Sequence, residues 1–169
     1  NTPFTVPNGS TLRLLGRNGS GNGTLTVANG FESAGTIELT SEDSNWLTSL
    51  TVPGGTLANR PGGILRVLEG TSGNRTLALE LDNRGTLQIE RSTSLNKGGA
   101  QHRNTGLIEV QAGELTLQQS GTTPSFSNAG ELRVLAGATF RPTFGNWTNA
   151  PTGVLSGSGT FNLTSGTLA

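Results

Sequence analysis

A seven-residue phrase recurs along this chain and limits its possible folds more than any other feature. The phrase reads Asn, a spacer, Gly, any residue, Leu or Ile, any residue, and Val or Leu, as at residues 83–89 and 128–134. Its anchoring glycines are Gly35, Gly63, Gly85, Gly106, Gly130 and Gly153. Counted along the sequence, the steps between them are 28, 22, 21, 24 and 23. An internal period of about 23 residues predicts a repeat architecture in which each copy forms one structural unit.

Apolar and polar residues alternate within each copy, which is the period of a β-strand and not of a helix. A second alternating segment follows another glycine in most copies, as at residues 113–117 and 159–163. We therefore predict an all-β fold, a right-handed parallel β-helix (β-solenoid) of about seven coils of roughly 23 residues, with the handedness of parallel crossovers. An antiparallel β-sandwich is the alternative, because short strands with Gly-rich turns suit it too. The solenoid is favoured because like residues recur at matched positions.

Matched positions on successive coils predict ladders of side chains about 4.8 Å apart. One inward ladder consists of Phe31, Leu57, Leu81, His102, Phe126 and Trp147. The Asn residues are expected to stack at one corner and form a side-chain ladder. The anchoring glycines are expected to supply backbone angles that other residues resist. Opposite charges at outward positions, Glu38 with Arg66 and Glu109 with Arg133, predict ion pairs between neighbouring coils.

The repeats predict one solenoid domain over residues 1–169. Residues 31–169 carry the regular repeats, whereas residues 1–30 match them less well. There the strand phrase begins at Gly23, only about half a period before Gly35. We therefore expect residues 1–30 to form an irregular N-terminal coil.

The composition argues against several classes of function. Eleven basic and eleven acidic side chains cancel, so there is no basic footprint for nucleic acid. The chain has no Cys and one His, so neither a disulfide framework nor a metal site is predicted. It has no apolar run of transmembrane length, so membrane insertion is not predicted. No cofactor is predicted either.

The phrase N-x-G-x-L-x-V followed by G-x-x-L resembles the repeats of large bacterial exoproteins, the filamentous-haemagglutinin-like and autotransporter passenger proteins. The resemblance covers about residues 31–168 and carries no catalytic motif. It implies a parallel β-helix, a secreted or cell-surface setting in bacteria, and structural or adhesive work.

Three longer connections are candidate recognition sites, because loops on rigid scaffolds often carry function. They are residues 40–49 with Trp46, residues 91–103 with Lys97, and residues 141–148 with Phe144 and Trp147. An exposed Trp46 would stack on a sugar ring, whereas a Trp that covers the edge of the core would have only a packing role. Trp46, Lys97 and Trp147 are the candidate ligand-binding residues, and no catalytic residue is predicted.

Two function hypotheses follow from these observations. The first is a non-enzymatic extracellular structural or adhesive β-solenoid that assembles end to end into a fibre, with its own copies, neighbouring coils, or a host or matrix glycan or protein as partners. The second is a carbohydrate-binding or carbohydrate-cleaving β-helix. It rests on the two tryptophans and on Glu80 and Asp82, two carboxylates on one outward face that would divide acid and base roles.

Overall fold

The computed structural model describes residues 3–163, and all regular structure in that range is β-strand. The strands are β1 (Thr5–Val6), β2 (Thr11–Gly16), β3 (Gly23–Thr26), β4 (Phe31–Ser33), β5 (Thr36–Ser41), β6 (Thr48–Asn59), β7 (Ile64–Val67), β8 (Arg75–Asn83), β9 (Thr86–Ile89), β10 (Thr93–Leu95), β11 (Gln101–Asn104), β12 (Leu107–Val110), β13 (Glu114–Leu117), β14 (Ser125–Asn128), β15 (Glu131–Val134), β16 (Thr139–Pro142), β17 (Asn146–Asn149), β18 (Val154–Ser156) and β19 (Thr160–Phe161). The bridges between these strands are all parallel.

One sheet shows the coil repeat directly. Its seven strands lie in the order β18-β15-β12-β9-β7-β5-β2, so each strand pairs with its equivalents on the coils before and after it. The strands begin at residues 11, 36, 64, 86, 107, 131 and 154. A mean spacing of about 24 residues is within the range of solenoid repeats. The chain is therefore a β-solenoid of about seven coils, and the predicted fold class is confirmed.

The second sheet contains twelve strands and forms the rest of each coil. In the second and third coils one long strand, β6 and β8 respectively, covers the whole width of this sheet. In later coils the same path is divided into two short strands, such as β10 and β11. The prediction of one long connection at residues 91–103 is therefore wrong. Ser, Thr, Gln and His occupy the outward and inward positions there, which hides the alternation of β10 and β11 from a hydrophobicity pattern.

The core consists of inward ladders that run along the solenoid axis. The ladder of the seven-stranded sheet consists of Leu12, Ile37, Leu65, Leu87, Ile108, Leu132 and Leu155. The predicted ladder from Phe31 to Trp147 is confirmed, because its members lie opposite one another in the strand register. Each buried Leu, Ile or Val contributes about 1.5–3 kcal/mol of hydrophobic free energy.

An asparagine ladder stabilises one corner of the solenoid, as the repeated phrase predicts. The members are Asn59, Asn83, Asn104, Asn128 and Asn149. Each of the first four donates a hydrogen bond from Nδ2 to Oδ1 of the next at 2.7 Å. These amides are buried in the middle of the ladder, where unpaired polar groups would be costly. The ladder therefore fixes the register between coils.

The anchoring glycines are needed for a reason different from the predicted one. None of the six, all within the described range, has a positive φ. Instead, an added Cβ at Gly106 would lie 2.1 Å from the carbonyl oxygen of Gly85, and one at Gly130 would lie 2.2 Å from that of Gly106. The coils approach so closely at this corner that no side chain fits. Positive φ occurs instead at two of the glycines before the second strand, Gly113 with φ of 68° and Gly137 with φ of 80°.

The first coil pairs in register with the second through all three of its strands. β1 pairs with β4, β2 with β5, and β3 with β6. The short interval between Gly23 and Gly35 arises because Gly23 opens a strand of the other sheet. The departure from regularity within residues 3–30 is the turn at residues 17–22, closed by an antiparallel bridge between Arg17 and Gly21. Residues 164–169 of the predicted regular repeats lie outside the described residues.

Candidate functional site

Trp46 lies in the connection between β5 and β6, which spans residues 42–47. Its side chain is half-buried, and the indole Nε1 donates a hydrogen bond to Asn18 Oδ1 at 3.2 Å. An added Cβ at Gly16 would lie 2.7 Å from Trp46 Cβ, so the residue packs closely on the first coil. These contacts give Trp46 a packing role. Ligand binding by its exposed portion stays a prediction.

Lys97 lies between β10 and β11 and ties this connection to earlier coils. Its Nζ donates a hydrogen bond at 2.9 Å to the carbonyl oxygen of Gly55, which lies two coils away. Its positive charge also lowers the pKa of Glu80. The ammonium group is thus engaged within the solenoid, and ligand binding by Lys97 stays a prediction.

Trp147 belongs to the core. Its side chain is 3% exposed and lies opposite Phe126 in the inward ladder. In this structure the buried indole therefore has no exposed face on which a sugar could stack. This differs from the ligand-binding role that the sequence predicts for Trp147. β16 and β17 occupy both ends of the predicted connection at residues 141–148, which shortens it to residues 143–145.

His102 is a buried structural residue, as the sequence predicts. Its Nδ1 accepts a hydrogen bond at 3.2 Å from the backbone N–H of Leu81, and Nε2 has no partner among the described residues. Burial lowers the pKa of His102 to about 4; Glu80 opposes this shift and Lys97 adds to it. The imidazole is therefore neutral at neutral pH, with its proton on Nε2.

Glu80 and Asp82 lie on one outward face of β8 but are both engaged with neighbouring groups. Burial opposes ionisation of Glu80, yet the hydrogen bonds from the Gln101 N–H and the Thr56 hydroxyl outweigh it and lower its pKa. Asp82 accepts two hydrogen bonds from Arg84, at 2.8 and 2.6 Å. A general acid needs a raised pKa. The lowered pKa of Glu80 therefore gives no support to acid catalysis by this pair.

The outward positions of the seven-stranded sheet carry the predicted ion pairs. Arg66 lies 3.7 Å from Glu38, and Arg133 lies 3.1 Å from Glu109. The arginine side chains are partly exposed, whereas those of Glu38 and Glu109 are only 10% and 13% exposed, so each pair lies at the surface with its carboxylate largely buried. The neighbouring outward row of the same sheet contains three apolar residues, of which Ile64 and Leu107 are half-buried and Val154 is exposed. This face therefore offers no continuous apolar surface.

A row of hydroxyl groups that the sequence analysis missed follows the outward face of the other sheet. Its members, one per coil, are Thr24, Ser49, Thr76, Ser94 and Thr116. A second row two residues further along each strand consists of Thr26, Thr51, Ala78, Asn96 and Gln118. At about 4.8 Å per coil, the first row is about 19 Å long. We call these two rows the polar track.

The signal for the polar track is a polar–Leu–polar triplet in four of its five coils; the remaining copy, at residues 76–78, is Thr-Leu-Ala. Examples are Thr-Leu-Thr at residues 24–26, Ser-Leu-Asn at 94–96 and Thr-Leu-Gln at 116–118. The triplet was missed because its spacing is uneven, and because the copy at residues 94–96 lies in the segment predicted as a connection. Only the strand register shows that the triplets stack.

Part of the polar track forms the floor of a groove of about 310 Å³. Thr76, Ser94 and Thr116 line its floor. Asn96 and Gln118 line one side, where the connections after β10 and β13 begin. Asn74 and Ser92 line the other side, before β8 and β10. The groove thus lies across three coils on a rigid sheet, with walls made by loops.

Comparisons of this chain with protein-family models, with curated proteins and with solved structures found no match. Among residues 3–163, no group of three or more acidic or His side chains is arranged to hold a metal ion. That part of the chain also contains no helix with the length and apolarity to cross a membrane. The site is therefore interpreted from its own geometry.

Proposed function

We propose that this chain is a non-enzymatic structural or adhesive module of an extracellular β-solenoid protein, and that its coils continue onto a second copy of the chain. The observation that carries the proposal is the state of the core ladder at the last described coil. Leu132 is fully buried, whereas Leu155, the next member of the same ladder, is 40% exposed. A further coil stacked on β18 would bury Leu155 and pair the edge of β18 that has no partner strand within residues 3–163.

The first coil offers a complementary surface for such a stack. Leu12 of β2 occupies the same ladder position as Leu155 and is half-buried. Leu25 of β3 is also half-buried and begins a ladder of the second sheet that continues through Leu50 and Leu77. A second copy stacked on β18 would therefore place Leu12 on Leu155 in the seven-stranded sheet and cover both side chains. Head-to-tail contacts of this kind do not close and produce a filament.

The extracellular setting rests on the resemblance of the repeats to those of filamentous-haemagglutinin-like and autotransporter passenger proteins. The stacked Asn and Leu ladders support the stacking of coils, because they make each coil a template for the next. We accordingly propose a secreted or cell-surface location in a bacterium, and a structural or adhesive function that depends on an extended rod. A host or matrix glycan or protein is the partner proposed for adhesion.

Light scattering after size exclusion, over a concentration series, tests the coil stacking. The wild-type chain is expected to form rods that lengthen with concentration and are visible by electron microscopy. Leu155→Asp should keep the chain monomeric, because a carboxylate would be buried at the stacked edge. Phe144→Asp is the matched control, since Phe144 is 51% exposed but lies in a lateral connection. A wild-type chain that stays monomeric throughout, or a Leu155→Asp chain that assembles normally, would refute the proposal.

A further inference from the structure

We propose that the groove in the polar track binds a short stretch of an uncharged polysaccharide that lies along the solenoid axis. This site uses none of the tryptophans or carboxylates from which a carbohydrate function was predicted. It is also independent of coil stacking, because the groove lies on the side of the solenoid and not at its ends.

The first support is a set of polar groups with no partner in the protein. The side chains of Asn74, Thr76 and Asn96 make no hydrogen bond within the described part of the chain, and the same holds for Nε2 of Gln118. Amides and hydroxyls are both donors and acceptors, as sugar hydroxyls are. A groove lined with such groups can exchange several hydrogen bonds with a polyhydroxylated ligand.

The second support is the rigidity of the wall that carries Asn96 and Gln118. The connections after β10 and β13 hold each other, because the N–H of Gly99 donates to the carbonyl oxygen of Ser120 at 2.6 Å. The buried Gln119 side chain donates to the carbonyl oxygen of Ala100 at 2.8 Å. This wall is therefore formed before a ligand arrives, and preorganisation lowers the cost of binding.

The opposite wall is held by two arginines. Arg75 is 1% exposed, and its guanidinium donates to the carbonyl oxygens of Ser72 at 2.9 Å and Gly73 at 3.1 Å. Arg91 also donates to the carbonyl oxygen of Gly73, at 3.1 Å. The two side chains fix the segment that ends at Asn74, so both walls of the groove are braced.

The charges around the groove favour an uncharged ligand. A carboxylate or sulfate would need a free cation, yet the guanidinium groups of Arg75 and Arg91 point to backbone carbonyls. Further along the axis, the position after Thr116 in the same row is Arg141, which pairs with Glu114. The hydroxyl row therefore ends in an ion pair, which sets one limit of the site.

The rows run across the strands, and this sets the orientation of the ligand. From Thr76 to Thr116 the hydroxyls advance by two coils, about 10 Å. Towards the first coil the row continues through Ser49 and Thr24. A linear chain laid along the solenoid axis would thus meet a hydroxyl on each coil.

Isothermal titration calorimetry with hexasaccharides of glucan, mannan, xylan and galactan, and with an oligogalacturonate as charged comparator, tests the proposal. At least one uncharged hexasaccharide should bind, and the oligogalacturonate should not. The double variant Thr76→Val, Thr116→Val should weaken that binding at least tenfold, because Val keeps the shape of Thr without its hydroxyl. Thr86→Val, at an outward position of the other sheet, is the matched control and should leave the affinity unchanged.

A steric variant provides a second test. Ser94→Arg would fill the middle of the groove and should abolish binding, whereas Ser127→Arg, outward on β14, should not. The proposal is overturned if no uncharged hexasaccharide binds the wild-type chain, or if the double Val variant and Ser94→Arg bind as the wild type does. Because the monomer suffices for these titrations, failure here would leave the coil-stacking result unaffected.

Discussion

At the scale of single residues, the solenoid tolerates polar side chains in its interior when the backbone supplies their partners. Arg75 is buried and forms no ion pair with a carboxylate of residues 3–163, and burial together with the charge of Arg91 lowers its pKa to about 10. Backbone carbonyls and Ser41 Oγ accept its hydrogen bonds. His102 is placed in the same way, with a backbone N–H as its partner. Both residues are therefore structural groups whose protonation is coupled to folding.

His102 should make the protein less stable in mild acid. Its folded-state pKa is about 4, below the ordinary value of 6.5, so the neutral form is favoured in the folded state. The contribution of neutral His102 to the free energy of unfolding is fully present above pH 6.5. It falls as the pH decreases towards 4, by about 3 kcal/mol in total. Urea denaturation at several pH values between 7 and 4.5 measures this loss.

The matched variant is His102→Asn, whose Oδ1 can accept the Leu81 hydrogen bond without titrating. Its free energy of unfolding should vary less between pH 6.5 and 5 than that of the wild type. Carboxylates such as Glu114, whose pKa is lowered mainly by its hydrogen bond from Arg141, contribute below that window. Equal pH dependence of the two proteins between pH 6.5 and 5 would show that folding does not change the pKa of His102.

At the scale of the elements, the turn beside the asparagine ladder determines how closely the coils approach. Gly85, Gly106 and Gly130 stack with their backbones in contact, and the Asn side chains bond across the same corner. A strand that starts after this corner is therefore held in one register. The alternation of β7, β9, β12 and β15 then directs the same set of side chains inward on every coil.

Gly106→Ala should destabilise the protein much more than Gly137→Ala. The new Cβ at position 106 would lie 2.1 Å from a backbone oxygen, which can move only if the coils separate. At Gly137 nothing lies within 4 Å, and the cost is the strain of a positive φ, about 1–2 kcal/mol. Urea denaturation of both variants tests this. Equal losses would mean that close approach of the coils does not explain the anchoring glycines.

At the scale of the whole molecule, strand pairing in the described part of the chain joins each coil only to its neighbours, so stability is nearly a sum of coil and interface terms. The hydrogen bond from Lys97 to Gly55, two coils away, is a contact beyond this description. The ladders pass through all the described coils without a break in register in the seven-stranded sheet. The second sheet is less regular, because its register shifts in β6 between Thr51 and Thr56 and again between β8 and the pair of strands β10 and β11. The polar track and its groove lie on this second sheet, where the coils differ most in length.

Loss of a core side chain should therefore cost more in the middle of the rod than at its edge. Leu87→Ala, at a fully buried position with coils on both sides, should lower the free energy of unfolding by about 2–5 kcal/mol. Leu155→Ala should cost less in the monomer, because Leu155 is already 40% exposed. If coils of separate chains stack, the effect of Leu155→Ala on unfolding should increase with protein concentration. Equal effects in dilute monomer would contradict the nearest-neighbour description.

Much of the candidate site could not be predicted from the sequence. The alternation of β8 predicts that Glu80 and Asp82 lie on one outward face. Their hydrogen bonds with Gln101 and Arg84 depend on the folded path of the backbone, which the alternation does not give. The sequence predicts Trp147 both as a member of the core ladder, which is confirmed, and as a ligand-binding residue, for which its burial leaves no exposed face. The polar track escaped notice, because Ser, Thr, Asn and Gln are common throughout the chain and their stacking depends on pairing between distant segments.

The sequence by itself determined the all-β coil repeat, the inward ladders, the asparagine corner and the outward ion pairs. Each of these follows from alternation and from the recurrence of one phrase, both of which are local patterns. The tertiary structure decided which residues of successive coils lie opposite each other where the spacing is uneven, as between β8 and β10. It decided this because the loops between strands absorb the differences in coil length, so that the core and the backbone hydrogen bonds stay in register. Stacking of Thr76, Ser94 and Thr116 into one groove is a consequence of that register.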